Sequence, residues 1–259
     1  MRDARLVPEI ASLTPTSYEA LARCARIYLL AHLLAIPPSD DTASTDRGLL
    51  VHEMLRLVHE RGSCHDDAHV ADVLGAHGAD DALTLEMLRR HSRRCPGSFD
   101  RSAHEIDLAR FHRLPPPMFM TTARIDAIWV HDGMLDARDY KTGSRRHDRV
   151  ADDPRARVQA FVLAPHARRR GLRLRVRYEH LAPEVDDDPE PFEPDDDEVA
   201  AVEEELRCAV EAMWGADPWR GVRDTEVCRT CRYRSICVDS AAPSEPGWPV
   251  LSLPTEDGP

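Results

Sequence analysis

The stretch "MTTARIDAIWVHDGMLDARDYKT", residues 120–142, reads as two β-strands joined by a tight turn. Side chains of opposite character alternate through "MTTARIDAIWVH" at 120–131 and again through "MLDARDYKT" at 134–142. Asp132 and Gly133 between them form a dipeptide that two-residue hairpin turns favour, because both central positions need positive φ. Strand side chains alternate faces, so Asp139 and Lys141 point the same way while Tyr140 points to the other side. Taken alone, this D-x-K spacing describes a solvated ion pair at a strand end. Its neighbours in the chain give it more meaning.

Upstream, "AHEIDLARFHR" at 103–113 adds a third strand and makes a meander. Downstream, "DPRARVQAFVLAPHARRRG" opens a helix after Asp153 with Pro154 in its first turn, and "LRLRVRYEHL" alternates strictly as a further strand. Towards the amino terminus, "TPTSYEALARCARIYLLAHLL" is predicted to be one helix. Thr16 and Glu19 have capping-box spacing, Tyr18, Leu21, Ala25 and Leu29 share a face, and Pro37 and Pro38 end it. A second helix, "RGLLVHEMLRLVHERG", buries Leu50, Met54, Leu57 and Val58 and stops at Gly62. Residues 66–95 also look helical, without evident chemistry. The predicted class is α/β, in the order helix, three strands, helix, strand. Residues 1–45 carry the first helix and 46–183 the core, with a helical insertion at about 62–100. An acidic linker spans 184–198, a helix and cysteine segment 199–240, and a disordered tail 241–259. No repeat and no G-x-x-x-x-G-K-[ST] phosphate loop is present.

The chain has 259 residues, 42% of them hydrophobic and 31% charged, which suits a soluble protein with a substantial core. The most apolar stretch, "ARIYLLAHLLAI" at 25–36, is interrupted by Arg26 and His32 and falls short of the roughly 20 residues that cross a bilayer. "MRDARLVPEIA" lacks the apolar region of a secretion signal, so no membrane association and a cytoplasmic location are expected. In that compartment seven cysteines point to metal or redox chemistry before disulfides. The formal charge of −12 is unevenly spread: residues 184–198 hold ten acids and no base, whereas Lys141 to Arg177 holds twelve basic residues against three acids. The basic segment is either a solvated face beside an acidic loop or a phosphate-binding surface beside a disordered linker.

"CRTCRYRSIC" places Cys228, Cys231 and Cys237 in a C-x2-C-x5-C pattern. Three thiolates can converge on one centre there, and Cys24, about two hundred residues away in an apolar helix, is the candidate fourth. Four thiolates suit tetrahedral zinc or an iron-sulfur cluster. Cys64, Cys95 and Cys208 read as ordinary thiols.

Five pieces in order, "SYEALARC" with Cys24, "GLLVH" with His52, "ARID" with Asp126, "DYK" with Asp139 and Lys141, and the cysteine tail, resemble the PD-(D/E)XK nucleases. Within them they resemble the RecB-like branch with an iron-sulfur cluster, the branch of the AddB subunit of bacterial helicase-nucleases and of the CRISPR-associated nuclease that prepares spacers. The resemblance runs from about residue 12 to 238. It implies a restriction-endonuclease-like core. It implies that His52, Asp126, Asp139 and the main-chain carbonyl of Tyr140 bind Mg2+ or Mn2+ while Lys141 assists the attacking water, and that the four cysteines hold a 4Fe-4S cluster, with zinc the lesser candidate. Gln159 falls where the family carries Q-x-x-x-Y, but Leu163 stands at the tyrosine place. Glu105 matches an acid often found on the first strand. The implied activity is a metal-dependent DNA nuclease, an exonuclease acting on single-stranded or free-ended DNA in repair or CRISPR processing, with a helicase or CRISPR integration complex as partner. A catalytically silent nucleic-acid-binding or scaffolding module is the alternative.

The chemistry of the residues agrees with that implication. A phosphodiester anion repels hydroxide, so its hydrolysis needs a cation to offset phosphate charge and to acidify the attacking water. Carboxylates are hard ligands for Mg2+, and one imidazole moves preference towards Mn2+. Lys141, on the Asp139 face, can hold the nucleophile or offset developing charge.

Overall fold

The structure is a computed structural model that describes residues 11–38, 43–61, 63–97, 102–112, 118–143, 148–215 and 219–241. The elements are β1 (Ala11–Leu13), α1 (Pro15–Arg23), α2 (Ala25–Tyr28) running into a π-helical turn (Leu29–Leu33), α3 (Ala43–Arg61), α4 (Asp67–Ala76) and α5 (Ala82–Ser92). Then come β2 (Ser102–His112), β3 (Phe119–His131), β4 (Met134–Lys141), α6 (Pro154–Arg169), β5 (Arg173–His180), α7 (Asp196–Ala212) and α8 (Thr225–Arg229). The expected α/β core is present: β2, β3 and β4 form the antiparallel meander, and α6 carries the chain back to place β5 parallel to β4. Asp132 (φ 49°) and Gly133 (φ 70°) make the tight β3–β4 turn. Asp153 caps α6, its side chain accepting from the Arg155 N–H, with Pro154 in the first turn.

Helices cover both faces of the sheet. On one, Tyr18 of α1, Phe161 and Leu163 of α6 and the stripe Val199, Val202, Leu206 and Val210 of α7 pack against Phe119, Ile125, Leu135 and Val176. On the other, Val51, Met54, Leu55 and Val58 of α3, with Val73, Leu74, Met87 and Leu88 of α4 and α5, pack against Trp129, Tyr140 and Leu181.

Several expectations are corrected. The first helix is capped by Thr14, whose side chain accepts from the Ser17 N–H while the Ser17 hydroxyl accepts from the Thr14 N–H; Thr16 and Glu19 are not its box. The helix also breaks at Cys24, whose backbone is extended (φ −169°, ψ 121°), because the sulfur turns out towards the C-terminal segment and accepts from the Val222 N–H at 3.4 Å. β1, too short to carry a pattern, pairs parallel to β3 at 119–121.

The acidic stretch taken as a disordered linker is anchored to the sheet. Phe192 and Val176 exchange two backbone hydrogen bonds of 2.8 Å, and Val185 and Phe192 are buried. Its acids pair with the basic segment: Glu190 with Arg149, Glu193 with Arg175, Asp188 with Arg177 and Asp196 with Arg168, while Asp188 also reaches Arg94 beyond α5. The two opposite charge runs are therefore partners across an interface. The predicted stop at Gly62 and the tail from 242 onward lie outside the described residues.

Candidate active site

One edge of β3 is shared by two partners. β1 takes residues 119–121 and β4 takes 127–131, so the edge between them opens and a cleft of about 500 Å³ forms over it. Asp126, Asp139, Arg124, Arg155 and Gln159 line it, with Thr14 and Thr16 from the start of α1. Ladder pairing ends at Ala127 and Arg138. One step further Asp126 and Asp139 stand across from each other, and the Tyr140 N–H donates to Asp126 Oδ2 at 2.7 Å instead of to a strand.

His52 reaches this point from α3. Its Nε2 lies 3.0 Å from the Tyr140 carbonyl and its Nδ1 3.5 Å from Asp126 Oδ2. Gly48, one turn earlier, allows the approach: a Cβ there would meet Thr142 Oγ1 at 3.0 Å, so the G-x-x-x-H spacing marks where the helix crosses the end of β4. Glu105 completes a group with His52 and Asp126 whose ligand atoms lie within 4.8 Å of one another. It does so from a left-handed backbone (φ 49°) that interrupts the β2–β3 ladder between His104 and Ile106. Such a conformation is uncommon for glutamate and marks local strain.

Lys141 Nζ is 2.9 Å from Asp139 Oδ1 and 4.0 Å from the centre of the Tyr178 ring. Gln159 Nε2 donates to Asp139 Oδ2 at 3.3 Å. Burial favours the neutral form of Asp139, but the charges of Lys141, Arg155 and His52 outweigh it and hold the carboxyl below its usual range. Burial likewise opposes charging His52, and is outweighed by the hydrogen bond and charge of Asp126, the charge of Asp139 and the Tyr140 carbonyl; its pKa is raised to about 9. Glu105 is pushed up by burial and by Asp126. Arg124 and Arg138, the arginines nearest the two aspartates in sequence, are engaged elsewhere. Arg124 pairs with Asp107 and Glu105, and Arg138 with Asp136 and Glu179.

Arg155 is the residue that sequence reading missed. It sits in the first turn of α6, pairs with Glu19 at 3.4 Å, and contributes to the charge on Asp139. Its signal was the i, i+4 spacing to Gln159, which puts both on the helix face over the cleft. Leu163, one turn beyond Gln159, is wholly buried in the core and brings no hydroxyl to the site.

The second candidate centre lies away from the cleft. Cys24, Cys228, Cys231 and Cys237 line one small apolar cavity with Ile27 and Leu30. Each sulfur faces a backbone N–H: Val222 to Cys24, Ala241 to Cys228 and Tyr233 to Cys231, each at 3.4 Å, and Asp239 to Cys237. Tyr233, between the last two cysteines, donates its hydroxyl to the Ile36 carbonyl at 2.9 Å, and Arg26 pairs with Asp239 at 2.8 Å. Both contacts tie the tail to the start of the chain. Among the described residues no helix is long and apolar enough to cross a membrane.

The sequence pattern of the PD-(D/E)XK nuclease superfamily matches residues 12–238, which is most of the chain. The chain belongs to that superfamily. No curated protein matches it. Among solved structures it is similar to SSO0001, at 12% identity and a TM-score of 0.41, over 90% of this chain and 88% of that one. It is also similar to a "Putative exonuclease" from Eubacterium rectale, at 9% identity and a TM-score of 0.48, over 78% and 79%.

Proposed function

We propose that the chain is a divalent-metal-dependent DNA nuclease of the RecB-like, iron-sulfur branch, acting on a single strand or a free end. The observation that carries this reading is the convergence on one cleft of Asp126, Asp139 bound to Lys141, and a His52 ring spanning Asp126 and the Tyr140 carbonyl.

The donor set fits Mg2+ or Mn2+. Asp126 Oδ2 and the Tyr140 carbonyl both lie beside the His52 ring, which supports a cation held by hard oxygens and one imidazole. A bound ion would offset phosphate charge and lower the pKa of the attacking water. His52 must give up its proton to act as a ligand, so loading releases a proton. Asp139 is kept ionised by its neighbours. Lys141 holds the attacking oxygen beside Asp139 or offsets the charge that develops on the phosphate. Arg155 and Arg124 supply the remaining positive charge over the cleft.

Four amide N–H groups aimed at four sulfurs support a 4Fe-4S cluster, because such hydrogen bonds stabilise the electron-rich thiolates that hold it. Zinc is the lesser candidate in that position. A helicase or a CRISPR integration complex is the kind of partner that would deliver an end to the cleft.

The test is anaerobic incubation of the purified protein with end-labelled single- and double-stranded DNA and Mn2+ or Mg2+. The expected result is shortening of the labelled strand, abolished by a chelator, from a brown protein containing iron and acid-labile sulfide in equal amounts. Absence of cleavage would overturn the nuclease in favour of a silent binding module, and a colourless protein would overturn the cluster. Gln159→Ala removes one hydrogen bond to a charged oxygen, so the expected loss is about 10- to 100-fold in cleavage rate with DNA affinity unchanged. Equal weakening of affinity would show that Gln159 binds DNA and does not position Asp139.

A further inference from the structure

On the sheet face opposite Lys141, α3 and the helical insertion bring together four residues that no local pattern connects. His59 is in the last turn of α3 and Cys64 just beyond it; His91 is in the last turn of α5 and Cys95 just beyond it. Their ligand atoms all lie within 4.8 Å of one another. His59 Nε2 is 3.2 Å from His91 Nε2 and 3.4 Å from Cys95 Sγ.

The outer nitrogen of each ring has an acceptor. His59 Nδ1 is 2.8 Å from the Leu55 carbonyl, and His91 Nδ1 is 2.7 Å from Glu179 Oε1. A carbonyl and a carboxylate accept, so both Nδ1 atoms carry the proton and both Nε2 atoms turn their lone pairs inward on each other. Two neutral rings in that arrangement repel. A cation placed between them would take up both lone pairs. His91 is fully buried, and His59 and Cys64 nearly so. His104 stacks on His59 at 4.4 Å and Trp129 meets it edge-on, so the surroundings are dry.

We propose that His59, Cys64, His91 and Cys95 bind a structural zinc ion that fastens the insertion to α3 behind the sheet. Two thiolates with two imidazoles are a tetrahedral zinc set, and four protein ligands leave no open position for catalysis. The hydrogen bonds that the two Nδ1–H groups donate to the Leu55 carbonyl and to Glu179 are contacts of the kind that fix ring orientation at such sites. Glu179 also accepts from Arg138 at 2.9 Å, and the His91 ring meets Tyr140 edge-on at 5.2 Å. The ion would therefore brace the strand that carries Asp139, Tyr140 and Lys141 from behind. Cys64 and Cys95 are reassigned from ordinary thiols to ligands.

The experiment is metal analysis of full-length protein purified without chelators from zinc-supplemented cultures. The expected content is one zinc per chain, lost in Cys64→Ser/Cys95→Ser and retained in Cys231→Ser/Cys237→Ser. X-ray absorption at the zinc edge of the unaltered protein keeps the test independent of whether a variant folds. It is expected to show two sulfurs at about 2.3 Å and two nitrogens at about 2.0 Å. Zinc-free protein, zinc that survives loss of both cysteines, an all-sulfur shell, or a Cys64–Cys95 disulfide in the unreduced protein would each overturn the proposal. None of these readouts depends on nuclease activity.

Discussion

Lys141→Ala is expected to lower DNA cleavage by roughly 10²- to 10³-fold at saturating Mn2+, because it removes the one ammonium beside the reacting centre, an interaction made where charge develops. Asp139→Asn is expected to do at least as much by a different route. It takes away a carboxylate that the fold holds ionised against burial, and it leaves Lys141 without its partner at 2.9 Å. The two variants separate in metal dependence. Lys141→Ala should keep the half-saturating Mn2+ concentration of the unaltered protein, whereas Asp139→Asn should raise it about tenfold or more, as loss of a ligand or its support does. Both should remain folded, as circular dichroism would show, with Asp139→Asn the less stable of the two because it leaves the nearly buried Lys141 without its partner. Cutting by either variant at the rate of the unaltered protein would remove the proposed site whatever the cysteines hold.

How far this was legible in the sequence depends on the range of the contacts. The hairpin was legible because Asp132–Gly133 and the flanking alternation are local, and the pairing of Asp126 across from Asp139 then follows from register. The placement of His52 was legible only as G-x-x-x-H, and the structure supplies the reason: Gly48 lets the helix pass Thr142 closely enough for the imidazole to reach the Tyr140 carbonyl. Charge runs misled. Ten acids in 184–198 read as an unpacked linker, yet the buried Phe192 and Val185 within them were the signal that the segment docks, and the arginines of β5 and α6 were its partners. The His59, Cys64, His91 and Cys95 group was invisible because H-x4-C and H-x3-C are each commonplace. Only the packing of α3 against α5 brings them together, and no local pattern encodes that.

The largest stability effect is expected at Arg138, which lies one residue from Asp139 and beneath the site. Its guanidinium bonds Asp136 Oδ2 at 3.1 Å, Glu179 Oε2 at 2.9 Å and the Arg94 carbonyl at 3.1 Å, and it lies over the Trp129 ring. Both carboxylates are fully buried, and Arg138 is 3% exposed. Arg138→Met fills similar space but leaves two interior acids without their shared cation, which costs about 3–5 kcal/mol. For a domain of this size that is a fall in melting temperature of roughly 6–20 °C. Arg138→Lys should not restore it, because a single ammonium cannot serve two carboxylates and a carbonyl as a planar fork does. Arg207→Met on the outer face of α7, which removes ion pairs with Glu204 and Glu211, should change nothing measurable, since those charges are solvated in any case. The contrast isolates burial as the cause. A melting temperature for Arg138→Met equal to that of Arg207→Met would mean that the buried network does not hold the strand of Asp139 and Lys141 in place.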